Sequence, residues 1–246
     1  MDLLVEGIKK AIILIVTADP RVVSVTLRTL EICSSAVVVA MILGVPLGMF
    51  LALSRFPGRR ILVALVNTGM GLPPVTVGLF VAVLLVRSGV FGFLELIYTP
   101  MAMVIAQVII AFPIVAGLTL AAVQQLDPRV CLQALSLGAS RLQVLVTLIK
   151  EARLATLAAL MAGFGGIISE VGASMMTGGN IYFPGEKGYS YTQVLTTAIV
   201  EAVRKCQFDL GIALSIILLA LTFAVVYGLT KLQQQGVGPW SSRVWK

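Results

Sequence analysis

Five long apolar segments, separated by short polar turns, make up most of this 246-residue chain. A transmembrane helix needs about 20 largely apolar residues to cross a bilayer, whereas a barrel strand takes about 9–11 residues of alternating polarity. The segments are too long for barrel strands, and their scattered Gly, Ala and Ser residues are typical of packed membrane helices. The pattern therefore predicts an all-α integral membrane protein with a bundle of five transmembrane helices. The predicted spans cover residues 22–53, 61–86, 100–123, 155–176 and 209–231.

Residues at the ends of these segments carry the signals of helix termini. Asp19 and Asp127 are each followed by a proline, which combines an N-cap residue with a first-turn proline. Asp209 can cap the last span in the same way. A basic turn over residues 54–60 ends the first span and starts the second.

The N-terminal segment over residues 3–16 is amphipathic. Charged residues occupy one side of the predicted helix, and the other side is apolar. The segment is too short and too charged to span, so we expect an interfacial helix over residues 1–17, with a sixth span as the alternative. The apolar face consists of Leu4, Ile8, Ala11, Ile12 and Ile15.

Composition and charge agree with a membrane location. The chain is 59% hydrophobic and 12% charged, with a mean hydropathy of +1.03, which excludes a soluble domain. Because short loops rich in Lys and Arg face the cytoplasm, the first and third loops and the tail over 233–246 are predicted to be cytoplasmic. These loops carry Arg55, Arg59, Arg60, Arg129, Arg141, Lys150 and Arg153. We therefore predict a multi-pass protein of the cell inner membrane with an external N-terminus. The net charge of +7 is explained by these loops, and we expect no nucleic-acid partner.

The residues of enzymatic chemistry are missing from the sequence. The chain has no histidine, and its three cysteines match no metal-binding spacing. Catalysis by a Ser-His or Cys-His pair is therefore excluded. No phosphate-binding Gly-x-x-x-x-Gly-Lys-Ser/Thr loop occurs, since residues 185–190 are only superficially similar to one. We expect a transport subunit that is not an enzyme, binds no metal or cofactor itself and cannot hydrolyse ATP alone.

Two short amphipathic helices are predicted in the third loop, and they meet at Gly138. The first begins after Asp127 and stops at this glycine, which can adopt the left-handed conformation of a helix end. Ser140 can cap the second helix, whose apolar positions recur at helical spacing. The alternative interpretation is an amphipathic re-entry into the membrane. The apolar residues are Val130, Cys131, Ala134 and Leu135 in the first helix, and Leu142, Leu145, Val146 and Ile149 in the second.

This loop resembles the cytoplasmic coupling loop of permease subunits of ABC importers. Ala134-x-x-x-Gly138 matches the last alanine and the glycine of the "EAA" motif of that family. The two residues before Ala134 and the pair at 150–151 depart from the motif. The resemblance implies that a separate ATPase subunit contacts the two short helices and their corner, which together we call the elbow. Gly138 is then the pivot of the elbow. The implied coupling residues are Ala134, Gly138, Ala139, Ser140 and Arg141.

Three further segments are similar to the molybdate-type group of these permeases, and most similar to its tungstate branch. They cover residues 67–78, 170–181 and 194–199, and the resemblance as a whole covers residues 1–232. It implies a type I, binding-protein-dependent permease that carries an oxyanion, tungstate before molybdate. The implied partners are a second permease copy, a cytoplasmic dimer of ABC ATPases that uses the ATP, an extracytoplasmic oxyanion-binding protein and the membrane lipid. An ABC permease for sulfate, phosphate or another solute, and a standalone secondary transporter or channel, are the alternatives.

The second predicted span contains two adjacent prolines that we assign to a gate. Pro73 and Pro74 remove two backbone donors and disfavour helix at Leu72. The span is therefore predicted to be broken or kinked near its cytoplasmic end, where it can bend. The alternative is a kink tolerated for packing.

The fourth predicted span ends in a segment that we assign to the translocation path. A carboxylate at membrane depth costs at least about 2.5–3.5 kcal/mol, so Glu170 should face protein or a water-filled path. We favour a structural or gating role, in which Glu170 holds this span against another helix, over direct contact with an anion. Gly172 and Ser174 belong to the same segment, where small residues permit close helix approach.

A glycine-rich exit turn follows this span on the outer side. Gly178, Gly179 and Asn180 can expose backbone N–H groups toward an oxyanion and hold it weakly enough for release. A flexible turn without ligand contact is the alternative. The outer loop over residues 177–208 is long enough to touch a delivery protein.

Overall fold

The computed structural model describes residues 2–183 and 189–235 of the chain. This part of the chain is helical except for its loops, one 3-10 turn at Gly92–Leu94 and one short antiparallel hairpin that the sequence did not predict. The helices are α1 (Asp2–Val16), α2 (Pro20–Leu53), α3 (Arg59–Gly69), α4 (Pro74–Leu85), α5 (Pro100–Gln124), α6 (Pro128–Ser136), α7 (Arg141–Glu151), α8 (Arg153–Ile168), α9 (Gly172–Gly178), α10 (Leu195–Arg204) and α11 (Phe208–Gln235). The hairpin strands are β1 (Tyr182–Phe183) and β2 (Tyr189–Ser190).

Within these described ranges, three helices are each long and apolar enough to cross a membrane: α2, α5 and α11. Two bent helix pairs bring the count to five if each pair is taken as one span: α3 with α4, which meet at 102°, and α8 with α9, which meet at 63°. The predicted five-span bundle is thus confirmed on this count. The predicted break of the second span at Pro73 and Pro74 is also confirmed. The fourth predicted span, residues 155–176, contains a break that the sequence did not predict, because the chain leaves helical geometry between Ile168 and Gly172.

Helices α2 and α5 pack along each other and form the centre of the core. A methyl group placed on Gly48 of α2 would lie 2.5 Å from the carbonyl oxygen of Ala116 in α5, so only glycine permits this approach. The largest buried cluster is rich in small residues, which let membrane helices approach closely. It includes Ala36, Val37, Ala40, Val81, Ala106, Ala111, Val115, Phe164 and Ile167.

Helix α1 packs against the beginning of α11 and runs in the opposite direction. Gly7 lies against Ile212, and the Lys10 ammonium pairs with the Asp209 carboxylate. Of the predicted apolar face, Ala11 is buried, whereas Ile8 is exposed, as are Ile12 and Ile15. An exposed apolar stripe beside a spanning helix fits contact with lipid. The interfacial placement of residues 1–17 stays a prediction.

Residues 233–235, which were predicted to begin the C-terminal tail, belong to helix α11. Helix α11 continues to Gln235, and the Gln233 side chain donates a 2.8 Å hydrogen bond to the carbonyl oxygen of Leu154 in α8. The remainder of the predicted tail, residues 236–246, lies outside the described residues. Residues 184–188 also lie outside the described residues, and they include most of the segment 185–190 that is superficially similar to a phosphate-binding loop.

Candidate coupling elbow and translocation path

Helices α6 and α7 form the elbow that the sequence predicted. The Asp127 side chain accepts a 2.9 Å hydrogen bond from the backbone N–H of Arg129 at the start of α6. At the corner Gly138 has a φ of +81°, the left-handed conformation that glycine adopts without steric cost. Ala139 closes the corner, since its N–H donates to the carbonyl of Ala134 at 3.0 Å.

Ser140 caps α7 as predicted, and Gln143 completes a reciprocal capping box that the sequence interpretation missed. The Gln143 N–H donates to Ser140 Oγ at 3.4 Å, and Ser140 N–H donates to Gln143 Oε1 at 2.7 Å. This box satisfies two N-terminal donors of α7. Arg141 is the first residue of α7 and is exposed. The sequence signal for the box was the Ser-x-x-Gln spacing.

The elbow exposes several large apolar side chains. Leu132, Leu135 and Leu137 are exposed, and Leu137 keeps 88% of its surface accessible. Within the described chain, α6 packs mainly against α7. Exposed apolar side chains on one short element are typical of a candidate protein-docking surface. We call these three residues together with Gly138 the docking surface of the elbow.

The break between α3 and α4 has the local cause that the sequence indicated. Pro73 is in extended conformation, with φ −63° and ψ 120°, and Pro74 occupies the first turn of α4. Between the helices, the N–H of Leu72 bonds to the carbonyl of Gly69 at 3.3 Å, which ends α3 in a tight turn. The result is an apolar helix pair bent by 102°.

Helix α4 touches α9, so the structure brings the predicted gate next to the predicted path. A methyl group on Gly78 would lie 2.6 Å from the Ala173 Cα atom, and Gly172 lies against Val75. The two backbones are therefore in direct contact. A movement of α9 must either carry α4 with it or open this contact, because packed interfaces have little room to deform.

Glu170 lies in the break between α8 and α9 and is half-buried. Its Oε1 atom accepts a 3.1 Å hydrogen bond from the N–H of Ala173, so the carboxylate caps α9. Its backbone carbonyl accepts a hydrogen bond from the Thr196 hydroxyl of α10 at 3.1 Å. Glu170 thus contacts another helix, α10, through a threonine. Its backbone carbonyl makes this contact, and its carboxylate does not.

Ser174 takes part in a buried polar contact with α5. The Gln107 Nε2 atom donates to Ser174 Oγ at 3.2 Å, and both residues are almost fully buried. The other amide atom, Gln107 Oε1, contacts no donor within the described part of the chain. A buried polar pair at mid-bundle holds α9 to α5, and the sequence interpretation missed Gln107 because it is a lone polar residue in an apolar run.

The glycine-rich exit turn has most of its polar groups engaged. Gly179 and Asn180 both have positive φ, +69° and +56°, and end α9. The Gly179 N–H donates to the Met175 carbonyl at 3.1 Å, and the Gly178 carbonyl accepts from Thr192 Oγ1 at 2.5 Å. In this conformation the turn is therefore a well-anchored helix end.

Glu201 of α10 binds several polar groups around this turn. It accepts hydrogen bonds from Asn180 at 3.0 Å and from Lys205 at 2.5 Å, and Gln193 also donates to it. The Arg21 guanidinium lies 3.8 Å from it and stacks over the Tyr182 ring at 5.0 Å. The sequence offered one signal for this residue, the i, i+4 spacing from Lys205.

Charge and burial shift the pKa of Glu201 in opposite directions. Burial alone would raise the pKa of this carboxyl, but the hydrogen bonds from Lys205 and Asn180 and the nearby charges outweigh it. The pKa is thereby lowered below its ordinary value of 4.5. A carboxyl with a lowered folded-state pKa stabilises the fold above its unfolded pKa, and this contribution is lost as the pH falls through the folded value.

We expect Glu201→Gln to lower the free energy of unfolding by about 1 kcal/mol at pH 7, because the ion pairs and one of the accepted hydrogen bonds are lost. The difference from wild type should shrink as the pH falls below 4.5. Thermal unfolding in detergent, measured from pH 7 to below pH 4.5, gives both the loss of stability and its pH dependence. Glu31→Gln is the matched control, since Glu31 is 61% exposed and pairs only with Arg28 among the described residues. A pH-independent difference would contradict this account of Glu201.

The predicted site residues thus form two groups. The coupling residues lie together on the elbow, while the path residues lie at the two helix breaks and the exit turn. Helix α8 connects the groups, because it follows α7 after the single residue Ala152 and leads into the Glu170 break.

The chain is similar to known membrane transport components over most of its length. A probable anion ABC transporter permease protein of Haloferax volcanii is 38% identical over 203 residues, which are 82% of this chain and 87% of that protein. The tungstate uptake system permease protein TupB of Peptoclostridium acidaminophilum is 35% identical over 235 residues, 96% of this chain and 100% of that protein.

The fold is also known. An inward-facing structure of the MetNI methionine ABC transporter has a TM-score of 0.70 to this chain at 15% identity, covering 88% of this chain and 96% of that one. Residues 44–238 match the family described as the inner membrane component of binding-protein-dependent transport systems. The resemblance noted in the sequence is therefore confirmed, and the chain belongs to this family of inner membrane components.

Proposed function

We propose that this chain is the membrane-spanning subunit of an ABC importer that moves a tetrahedral oxyanion into the cytoplasm, with tungstate as the first candidate substrate and molybdate as the second. The observation that carries the proposal is the similarity to a tungstate permease over 96% of the chain. The chain itself supplies the path and no ATP chemistry. ATP is used by a separate subunit.

The assembly in this proposal contains two copies of the chain, two cytoplasmic ABC ATPases and an extracytoplasmic oxyanion-binding protein. The ATPase docks on the elbow. The exposed leucines and the left-handed Gly138 support this assignment, because they leave apolar side chains accessible at the corner between α6 and α7. The binding protein delivers its anion to the outer side, where α10 and the hairpin β1–β2 surround the exit turn.

The orientation follows from the distribution of Lys and Arg. The elbow, the basic turn at 54–60 and the C-terminus lie in the cytoplasm, and the N-terminus and α10 lie outside. The protein is then a multi-pass component of the cell inner membrane. Basic residues on the outer side that run against this distribution include Lys9, Lys10, Lys187, Arg204 and Lys205. Of these, Lys205 forms an ion pair with Glu201.

Movement of the elbow reaches the path through α8. Closure of the ATPases on binding ATP pulls the docking surface, and α8 transmits this displacement to the Glu170 break. Helix α9 then moves relative to α5 and α4. The α3–α4 break at Pro73 and Pro74 lets α4 follow, so that the path opens outward to receive the anion. Reopening toward the cytoplasm releases it.

Reconstitution tests the proposal. The chain is incorporated into proteoliposomes with its ATPase and binding protein, and uptake of tungstate is measured with and without ATP. We expect uptake that needs ATP and both partners and that molybdate inhibits more strongly than sulfate. Uptake by the chain alone would instead establish a standalone transporter. ATP-driven uptake inhibited equally by sulfate would assign a broader oxyanion substrate.

A further inference from the structure

An apolar groove runs between the end of α2 and the length of α7. Its cavity is about 420 Å³, and nothing in the described chain fills it. Helix α7 lines the groove with the apolar face that the sequence predicted. This face therefore points into the groove and is not packed in the core. The apolar lining residues are Val45, Pro46, Met49, Phe50, Leu53, Leu142, Leu145, Val146 and Ile149.

A basic cleft adjoins one end of this groove. The turn after α2 surrounds an open space of about 560 Å³ that includes Arg55, Arg59 and Arg60 in its lining. Arg59 is anchored, because its Nε donates to the Leu51 carbonyl at 2.7 Å, while Arg55 and Arg60 are exposed. No acidic residue occurs between Val45 and Ile61.

The groove and the cleft form one continuous surface. Phe50 lines the groove, Phe56 lines the cleft, and their rings stack with centroids 5.4 Å apart. Ser54 ends the groove, and Arg55 begins the cleft. On α7, Arg141 precedes the groove-lining residues and Lys150 follows them, with Glu151 as the one acidic residue of this helix.

We propose that this surface binds an anionic phospholipid, whose acyl chain lies in the α2–α7 groove and whose phosphate lies in the cleft at Arg55 and Arg60. Apolar volume next to a group of arginines matches the two parts of such a lipid. A second copy of the chain is a poorer occupant. A two-fold contact through this groove would bring two copies of the same basic turn together.

Lipid titration with native mass spectrometry tests the proposal on the purified full-length chain. Phosphatidylglycerol should bind wild type at least about tenfold more tightly than phosphatidylcholine, because each basic residue near the phosphate contributes roughly fivefold. The Arg55→Gln/Arg60→Gln double variant should lose this preference. Ile149→Trp, which fills the groove, should weaken binding of both lipids.

The control is Arg87→Gln/Arg204→Gln, which removes the same charge from exposed positions away from the cleft and should preserve the preference. Equal binding of the two lipids to wild type, or an unchanged preference in the Arg55/Arg60 variant, would overturn the proposal. Displacement of bound lipid by glycerol phosphate at equal concentration would show a site for free anions instead. Loss of the dimer in Ile149→Trp with unchanged lipid binding would assign the groove to a second copy of the chain.

Discussion

Replacement of Gly138 by tryptophan is expected to reduce capture of the partner ATPase, and ATP-driven uptake with it, by at least about tenfold. A residue other than glycine in the left-handed conformation costs about 1–2 kcal/mol, and tenfold corresponds to about 1.4 kcal/mol. The indole adds bulk at the corner that the ATPase contacts. No atom lies within 4 Å of the position of the added Cβ, so the bundle itself should fold and insert normally. Pull-down from membranes and uptake assays measure the two effects.

Gly58→Trp is the matched control for this experiment. Gly58 also has a left-handed φ, +88°, and also has open space around its Cβ position, but it lies in the turn between α2 and α3. It should retain ATPase capture. Gly138→Asn separates conformation from bulk, because asparagine tolerates the left-handed region. Normal uptake by Gly138→Trp would remove the elbow from the coupling pathway.

Replacement of Gly78 by alanine is expected to lower stability and transport together. In the middle of a helix this change ordinarily gains up to about 1 kcal/mol. At Gly78 the new methyl group would lie 2.6 Å from the Ala173 Cα atom, and a backbone atom cannot rotate away as a side chain can. We expect a net loss of about 2 kcal/mol, which corresponds to a fall of roughly 4–8 °C in the unfolding midpoint.

The control for this substitution is Gly228→Ala in α11, where no atom lies within 4 Å of the Cβ position. This variant makes the same glycine-to-alanine change in a helix, but no other helix approaches the new methyl group. Its effect on stability should be neutral or slightly favourable. The two variants are compared by heating in detergent and by uptake in proteoliposomes. A Gly78→Ala protein with wild-type stability and uptake would show that the α4–α9 contact can separate freely, and the gate assigned to it would then be wrong.

Several elements were predictable because their causes are local in the chain. The lengths of the apolar runs set the number of spans, Pro73 and Pro74 by themselves prevent a continuous second span, and Gly138 with Ser140 forms the elbow. The break between α8 and α9 was not predictable in this way. No proline marks this break. Its hydrogen bonds join Glu170 to Ala173 and to Thr196, and Thr196 is 26 residues away in the chain.

The sequence by itself determined that this protein is a helical membrane bundle with a cap-and-glycine elbow, because hydrophobic run length, capping and backbone restriction act over a few neighbouring residues. Only the tertiary structure decided which polar groups meet. Glu201 binds Asn180, 21 residues away, and Gln107 meets Ser174, 67 residues away. Such contacts depend on how the helices are placed against each other, and that placement follows from close packing of small residues along whole helix faces.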